Sequence, residues 1–326
     1  MRLLENNEYQ FFEKLVSLNQ KSMRAAMVKY LKSIYDNCII TQDYIVAIGD
    51  IPIALVAHMD TVYATPVSNL YYDKEKNVLW SPEGLGADDR AGIYAIITLT
   101  QMGYRPSVIL TTDEEKGGKG ATALAKLQPC PIPNLKYMIE LDRQGTDDCV
   151  FYDCFNSEFI EYVQSFGFKH DWGTFSDISF LMGDWKICGV NLSVGYFDEH
   201  SYSERLFVDA MYKTIERVAA MLAAETIPDF QYISLYETDD FGSYASFGQR
   251  CSKCRNLFSE YELFPVKGLD GKLKFFCPDC IVGNVDWCNV CQDAYEIDDP
   301  KKARHLCDDC REDYVCMKTS KNNSKK

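Results

Sequence analysis

The chain has 326 residues, with 34 Lys and Arg against 48 Asp and Glu and a formal net charge of −14. That length fits one large domain with room for a small one, and 47% hydrophobic residues with 13% aromatics supply a core and exclude a disordered chain. No apolar run approaches the roughly 18–20 residues of a membrane span, and the opening MRLLENNEYQ carries acidic residues where a secretion signal would carry its apolar stretch, so a cytoplasmic protein is expected.

The charge is unevenly placed. Residues 246–326 hold 14 basic and 13 acidic residues, which leaves 20 basic against 35 acidic in the first 245. A field of that sign repels nucleic acid and anionic lipid, so neither is expected as a partner of the larger part.

From the amino end, residues 11–36 (FFEKLVSLNQKSMRAAMVKYLKSIYD) space apolar residues at helical intervals without Gly or Pro and predict one long amphipathic helix. Runs typical of buried strands follow at 51–58 (IPIALVAH), 107–112 (SVILTT), 135–141 (LKYMIEL) and 187–195 (ICGVNLSVG). Helices are predicted over 90–102, 121–127, 157–166, 176–182 and 206–224. Strands alternating with helices predict an α/β fold around a mostly parallel sheet, in which functional groups collect where the strands end.

Those ends carry metal-ligand residue types. His58-Met59-Asp60 closes the first run, and a carboxylate two residues on can accept the second imidazole N–H and fix its tautomer; a polar strand terminus would read the same. Asp88 and Asp89 lie in GADDRAG, just before a predicted helix, where an acid serves equally well as a cap. Glu114 and Glu115 follow SVILTTD. Adjacent acids after a buried strand are costly unless paired or metal-bound, and one can ligate while its neighbour takes a proton from water; a solvated acidic turn is the alternative. Glu140-Leu141-Asp142-Arg143 ends the third run and Glu199-His200-Ser201 follows the fourth.

Taken in order, HMDTV, GADDRAG, TTDEE, ELDR and the late EHS resemble the co-catalytic di-zinc exopeptidase superfamily, which includes zinc aminopeptidases, tripeptidase T and acetylornithine-deacetylase relatives. The match covers roughly residues 1–225. The resemblance implies a three-layer α/β sandwich and two catalytic zinc ions, with cobalt or manganese as substitutes. Asp88 would bridge the ions, His58 and Asp142 would complete one, and Glu115 and His200 the other. Glu114 would be the general base acting on a hydroxide between the ions, and Asp60 would orient His58. A cis peptide would follow the bridging acid. Three ligating carboxylates, two zinc ions and one hydroxide sum to a neutral cluster, which a water-poor cleft tolerates. Only 57 residues separate Asp142 from His200, too few for an inserted lid. Asp198, Glu199 and Glu140 could hold a substrate α-ammonium, and Arg143 a substrate carboxylate.

The last quarter is different. Nine of 14 cysteines fall between Cys251 and Cys316, eight of them as CxxC pairs: Cys251/Cys254, Cys277/Cys280, Cys288/Cys291 and Cys307/Cys310. Such pairs form halves of tetrahedral zinc sites, so two structural zinc ions are expected. Pairing in sequence, as in tandem zinc ribbons, is favoured over a cross-braced pattern; Cys316 is left over, and His305 could substitute as a ligand. The expected layout is a catalytic domain over 1–236, a linker over 237–249, a double four-cysteine module over 250–316 and a disordered basic tail over 317–326. The module has no basic stripe with interleaved aromatics, so a protein partner is expected there rather than nucleic acid.

These observations predict a zinc metallopeptidase, an aminopeptidase on short peptides. The competing readings are an amidohydrolase of N-acyl amino acids and a non-catalytic adaptor that keeps the peptidase fold and binds through its zinc module.

Overall fold

Four apolar runs in the first two thirds of the chain lie side by side, because a parallel sheet buried on both faces needs strands that are apolar on both. The computed structural model describes residues 2–173, 175–234, 249–254, 257–258, 263–269, 272–288 and 294–298. Cys291, Cys307, Cys310, Cys316, His305, most of the expected linker and all of the expected tail lie outside the described residues. The chain divides into two compact units, Met1–Thr238 and Asp239–Lys326.

The first unit begins with helices α1 (Asn6–Val16) and α2 (Gln20–Lys32), a hairpin of β1 (Asn37–Ile40) and β2 (Tyr44–Ile48), and β3 (Ile51–His58). Short strands β4 (Tyr71–Asp73) and β5 (Val78–Trp80) precede α3 (Ala87–Gln101), β6 (Pro106–Thr111), α4 (Lys119–Ala125) and β7 (Tyr137–Arg143). Then come β8 (Asp148–Val150), α5 (Ser157–Ser165), β9 (Lys169–His170), α6 (Asp177–Trp185) and β10 (Cys188–Ser193). The pair β11 (Tyr196–Phe197) and β12 (Arg205–Phe207) leads into α7 (Val208–Leu222).

The main sheet has the order β1-β2-β6-β3-β7-β10-β8-β9, with β6, β3, β7 and β10 mutually parallel at its centre. Helix α3 lies on β3 and β7 beside α1 and α7, while α4 packs on α6, which lies on β3, β7 and β10. The two helical layers with the sheet between them make the α/β sandwich. Since the central strands run the same way, His58, Thr111, Arg143 and Ser193 end on one edge. A smaller antiparallel sheet, β11-β12-β5-β4, carries His200 in the connection between β11 and β12. No described helix is long and apolar enough to cross a membrane.

Two expectations need correction. The single helix over 11–36 is two helices, because Asn19 adopts an extended backbone and its side chain accepts the Ser22 amide at 2.9 Å, starting a new helix. Asn caps helix starts better than it continues them. The hairpin of β1 and β2, which no predicted element covers, adds two antiparallel strands to the edge of the sheet. Its turn is closed by Thr41, whose hydroxyl accepts the amides of Asp43 and Tyr44.

The second unit holds a hairpin, β13 (Gln249–Arg250) with β14 (Leu257–Phe258), and the strands β15 (Phe264–Lys267), β16 (Leu273–Phe276), β17 (Val285–Trp287) and β18 (Ala294–Glu296), with the short helix α8 (Pro278–Ile281) between β16 and β17. Its described core is Cys251, Leu263, Val266, Phe276, Cys277 and Ala294. So few apolar residues call for a cross-link or a metal.

One packing contact is tight enough to test. A β-carbon added at Gly92 of α3 would lie 2.3 Å from the Leu141 carbonyl oxygen of β7 and 2.4 Å from an Asp89 carboxylate oxygen. Gly92→Ala is therefore expected to destabilise the first unit by roughly 1–3 kcal/mol, read as a lower denaturation midpoint; an unchanged midpoint would contradict this close approach.

Candidate metal centre

His58 is the last residue of β3, 1% exposed, and its backbone N–H donates to Asp89 Oδ2 at 3.1 Å. Asp89 also accepts the Gly92 amide at 2.9 Å, and so joins the end of β3 to the start of α3. Asp88 and Asp89 interrupt the helical backbone there, and the peptide bond between them is cis, as the resemblance implies. Asp88 Oδ1 is 2.9 Å from His58 Nε2 and Asp88 Oδ2 is 3.1 Å from His200 Nε2.

The remaining groups close on these two imidazoles. Asp142 Oδ1, near the end of β7, is 3.5 Å from His58 Nε2, and Glu115 lies 3.1 Å from His200 Nε2. Three donor groups result, within each of which the donor atoms all lie within 4.8 Å of one another: His58–Asp88–Asp142 and Asp88–Glu115–His200, which share one carboxylate, and His58–Glu114–Glu115, which brings Glu114 to the same centre. Two ligands each about 2.0–2.1 Å from a tetrahedral zinc stand about 3.3 Å apart. The observed separations of 2.9–3.5 Å match that edge length, and imidazole with carboxylate suits zinc, cobalt and manganese alike. The residues fit a pair of divalent cations.

The electrostatics lead to the same conclusion. Burial, then Asp88, pushes the Asp142 carboxyl up to about 6, and burial, then Asp142, pushes Glu114 up to about 8. Burial raises Asp177, beneath them, to about 7. The Asp88 and Glu115 carboxylates lift His200 to about 11; burial opposes the charged form of His58, but Asp142 and its neighbours outweigh it and hold that imidazole well above its usual value. Clustered buried acids thus retain protons where cations are absent.

Other side chains hold the ligands in place. Asp60 lies 3.3 Å from His58 Nδ1, without the alignment of a hydrogen bond, and its two oxygens accept the amides of Glu114 (3.1 Å) and Glu115 (3.2 Å). Asp142 accepts the hydroxyls of Tyr196 (3.0 Å) and Ser176 (3.1 Å), and its own amide donates to Asn191 Oδ1. Arg90, 2% exposed, donates to the carbonyls of Met59, Asp60 and Leu18. Glu204 accepts the amides of Gly86 and Asp88. Sequence reasoning singled out none of Tyr196, Ser176, Asn191, Arg90 or Glu204. Arg90 alone carried a signal, as the charged residue inside GADDRAG.

Some expected substrate contacts are otherwise engaged. Glu140 is 1% exposed and its carboxyl faces the Ile178 amide, so it is not available to a substrate ammonium. Asp198 pairs with Arg205 at 2.5 Å. Arg143 pairs with Asp171 and donates to the Trp172 carbonyl.

In the second unit the Sγ atoms of Cys251, Cys254, Cys277 and Cys280 lie within 4.8 Å of one another, which joins the first CxxC pair to the second. The Cys277 amide points at Cys251 Sγ from 3.5 Å. Burial opposes the Cys251 thiolate, but amides, that of Cys277 foremost, outweigh it and bring the thiol down to about 6; burial and then the thiol of Cys277 push Cys280 up to about 12. Cys288 is buried just after β17; the other residues of its expected site lie outside the described residues.

No family model matches the chain, and no curated protein matches it by sequence. Solved structures do. A TET aminopeptidase from a marine sediment archaeon of the Thaumarchaeota aligns at 12% identity over 68% of this chain and 98% of its own, with a TM-score of 0.53. A tripeptidase from Staphylococcus aureus aligns at 12% identity over 67% and 97%, with a TM-score of 0.52. Aminopeptidase PepT from Bacillus cereus aligns at 15% identity over 67% and 98%, with a TM-score of 0.51. The likeness shows the fold: the chain has the α/β architecture of these aminopeptidases and this tripeptidase.

The raised acids have a consequence for stability. Below the unfolded carboxyl range, near pH 4, Asp142, Asp177 and Glu114 are protonated in both states. Between that range and folded values of about 6, 7 and 8 the folded state binds more protons, so the stability they contribute is lost as pH rises. The cation-free protein is expected to lose thermal stability from about pH 5 to about pH 8, and added divalent cation to abolish that loss. A midpoint that rises with pH in chelator would contradict the placement of these acids.

Proposed function

We propose that the first unit is a metal-dependent hydrolase of amide bonds, an aminopeptidase acting on short peptides. The observation that carries this reading is Asp88, whose two oxygens face two imidazoles from distant segments, each imidazole backed by a further carboxylate. His58 and Asp142 would hold one divalent cation, Glu115 and His200 the other, and Asp88 both. Cations bound there would polarise a substrate carbonyl and make hydroxide available near neutral pH.

The chain's own residues do the rest. Glu114 is half-buried beside Glu115, and its backbone is tied to Asp60, so its carboxylate is held at the centre without being needed as a ligand. It takes the proton of the attacking water and returns it to the leaving amine. The environment that pushes Glu114 up to about 8 favours the proton-carrying form needed for the second step, and nearby cations would favour the carboxylate needed for the first. Asp60 fixes the Glu114–Glu115 turn by accepting both amides, so one carboxylate positions both the base and a ligand, and it lies 3.3 Å from His58 Nδ1. The fold shared with aminopeptidases and a tripeptidase supports a peptide as substrate. An N-acyl amino acid would be cleaved by the same groups.

In the second unit, Cys251, Cys254, Cys277 and Cys280 would hold a structural zinc, and Cys288, Cys291, Cys307 and Cys310 a second. A module of that kind suits a protein partner, and reduced cysteines in this number suit the cytoplasm.

Hydrolysis of aminoacyl amides against N-acetylated amides, with and without chelator, tests the reading. Activity is expected on free-amine substrates only and to be lost with chelator; cleavage of N-acetylated substrates alone would assign a deacylase, and no cleavage with no bound cation at the first unit would assign an adaptor. Glu114→Gln should lower kcat by about 10²–10⁴-fold with metal content unchanged. Metal analysis should show Asp88→Ala losing two ions and Cys251→Ser only one; loss of the same ion in both variants would contradict separate sites.

A further inference from the structure

The two donor sets are supported unequally. His58 and Asp142 lie on the parallel strands β3 and β7, and Asp142 is further held by Tyr196, Ser176 and Asn191. His200, by contrast, sits in a surface connection with its side chain 50% exposed, at a left-handed backbone position (φ 59°). Among the described residues no hydrogen bond or ion pair reaches its imidazole other than those from Asp88 and Glu115.

What ties that connection to the rest of the centre is Glu204, 1% exposed and four residues further on. Its carboxylate accepts the Gly86 amide at 2.7 Å on one oxygen and the Asp88 amide at 3.0 Å on the other, gripping the turn that presents the shared ligand. The Tyr63 hydroxyl lies 3.0 Å from Glu204 Oε2 and 2.6 Å from the Ser201 carbonyl oxygen, next to His200. Three loops meet on this pair: the one after His58, the one before Asp88 and the one bearing His200. A carboxylate buried at this depth is costly, and two amides and a hydroxyl directed at it offset part of that cost. The geometry points to Glu204 as a positioning residue that sets the Asp88–Glu115–His200 site, with Tyr63 as its relay to the His200 loop; the His58–Asp88–Asp142 site depends on Glu204 through Asp88 alone, its other two donors being held by β3 and β7. This inference rests on the two-cation reading given above.

A manganese titration of the full chain tests it. Manganese suits carboxylate and imidazole donors, whereas thiolates retain zinc, so the cysteine site does not interfere. After dialysis against chelator, binding of Mn²⁺ is followed by the loss of the free-ion electron paramagnetic resonance signal. The unaltered protein is expected to bind two Mn²⁺. Glu204→Gln keeps the shape of the side chain but replaces one accepting oxygen with a donor that faces an amide. It should weaken one Mn²⁺ by about 10–100-fold, the usual effect of losing a group that orients a ligand, and the other, which feels Glu204 only through Asp88, by a clearly smaller factor. Tyr63→Phe, which removes only the hydroxyl, should weaken the same ion by a smaller factor and covers the case in which Glu204→Gln fails to fold. Equal weakening of both ions, or a lower melting temperature with both affinities unchanged, would overturn the assignment and leave Glu204 as a loop staple. If the unaltered protein binds no pair of Mn²⁺ ions, the two-cation reading fails and this inference with it.

Discussion

Like charges buried at the carboxyl edge of a sheet must be compensated, and much of the first unit is organised around that need. Asp88, Glu115 and Asp142 converge from three segments, with Glu114 and Asp177 close by; Asp88 and Asp177 are buried and the others half-buried. An isolated ionised carboxylate in such a place is far too costly to persist, so the group neutralises or finds a partner. Here both happen: imidazoles face Asp88, Glu115 and Asp142, while Glu114 and Asp177 are pushed towards their protonated forms. Divalent cations placed there would compensate these acids, since each would bring two charges to a point between the oxygens.

The scaffold determines how firmly each group is held. Side chains at the ends of parallel strands inherit the rigidity of the ladder, and the ladder joining β6, β3 and β7 brings the strand ends that carry His58 and Asp142 side by side, where further hydrogen bonds fix them. Groups on loops need separate restraint. Asp60 supplies it for the Glu114–Glu115 turn by accepting both amides, and Glu204 supplies it for Asp88 and, through Tyr63, for the His200 loop. Catalysis of the proposed kind depends on such prior placement, because a ligand that moves by an ångström forfeits most of its effect.

The second unit meets a similar problem with thiols. Its described core is two cysteines and four apolar residues, too little to outweigh chain entropy alone. Backbone amides stabilise Cys251 as thiolate, while crowding by its neighbours raises Cys280. A tetrahedral cation bound there would resolve that tension in one step and supply folding energy as it did so.

The local chemistry was legible in the sequence. Buried parallel strands read as apolar runs because both their faces are covered, so 51–58 matches β3 to the residue, and the other three runs differ from β6, β7 and β10 by at most two residues at either end. The α/β class and its mostly parallel sheet follow from that alternation, and the fold shared with the aminopeptidases agrees. The convergence of His58, Asp88, Glu115, Asp142 and His200 was visible only through the resemblance of five scattered motifs, since no local rule brings residues 58 and 200 together. Tertiary structure alone decided the break at Asn19, where a side-chain cap competes with helix continuation, and the hairpin at the sheet edge, whose short strands are stabilised by pairing rather than by pattern. It also decided the burial of Glu140 and the roles of Glu204, Tyr196, Ser176 and Asn191. These residues act through hydrogen bonds to partners 34–118 positions away or through burial under another element, and neither leaves a mark in the neighbouring sequence.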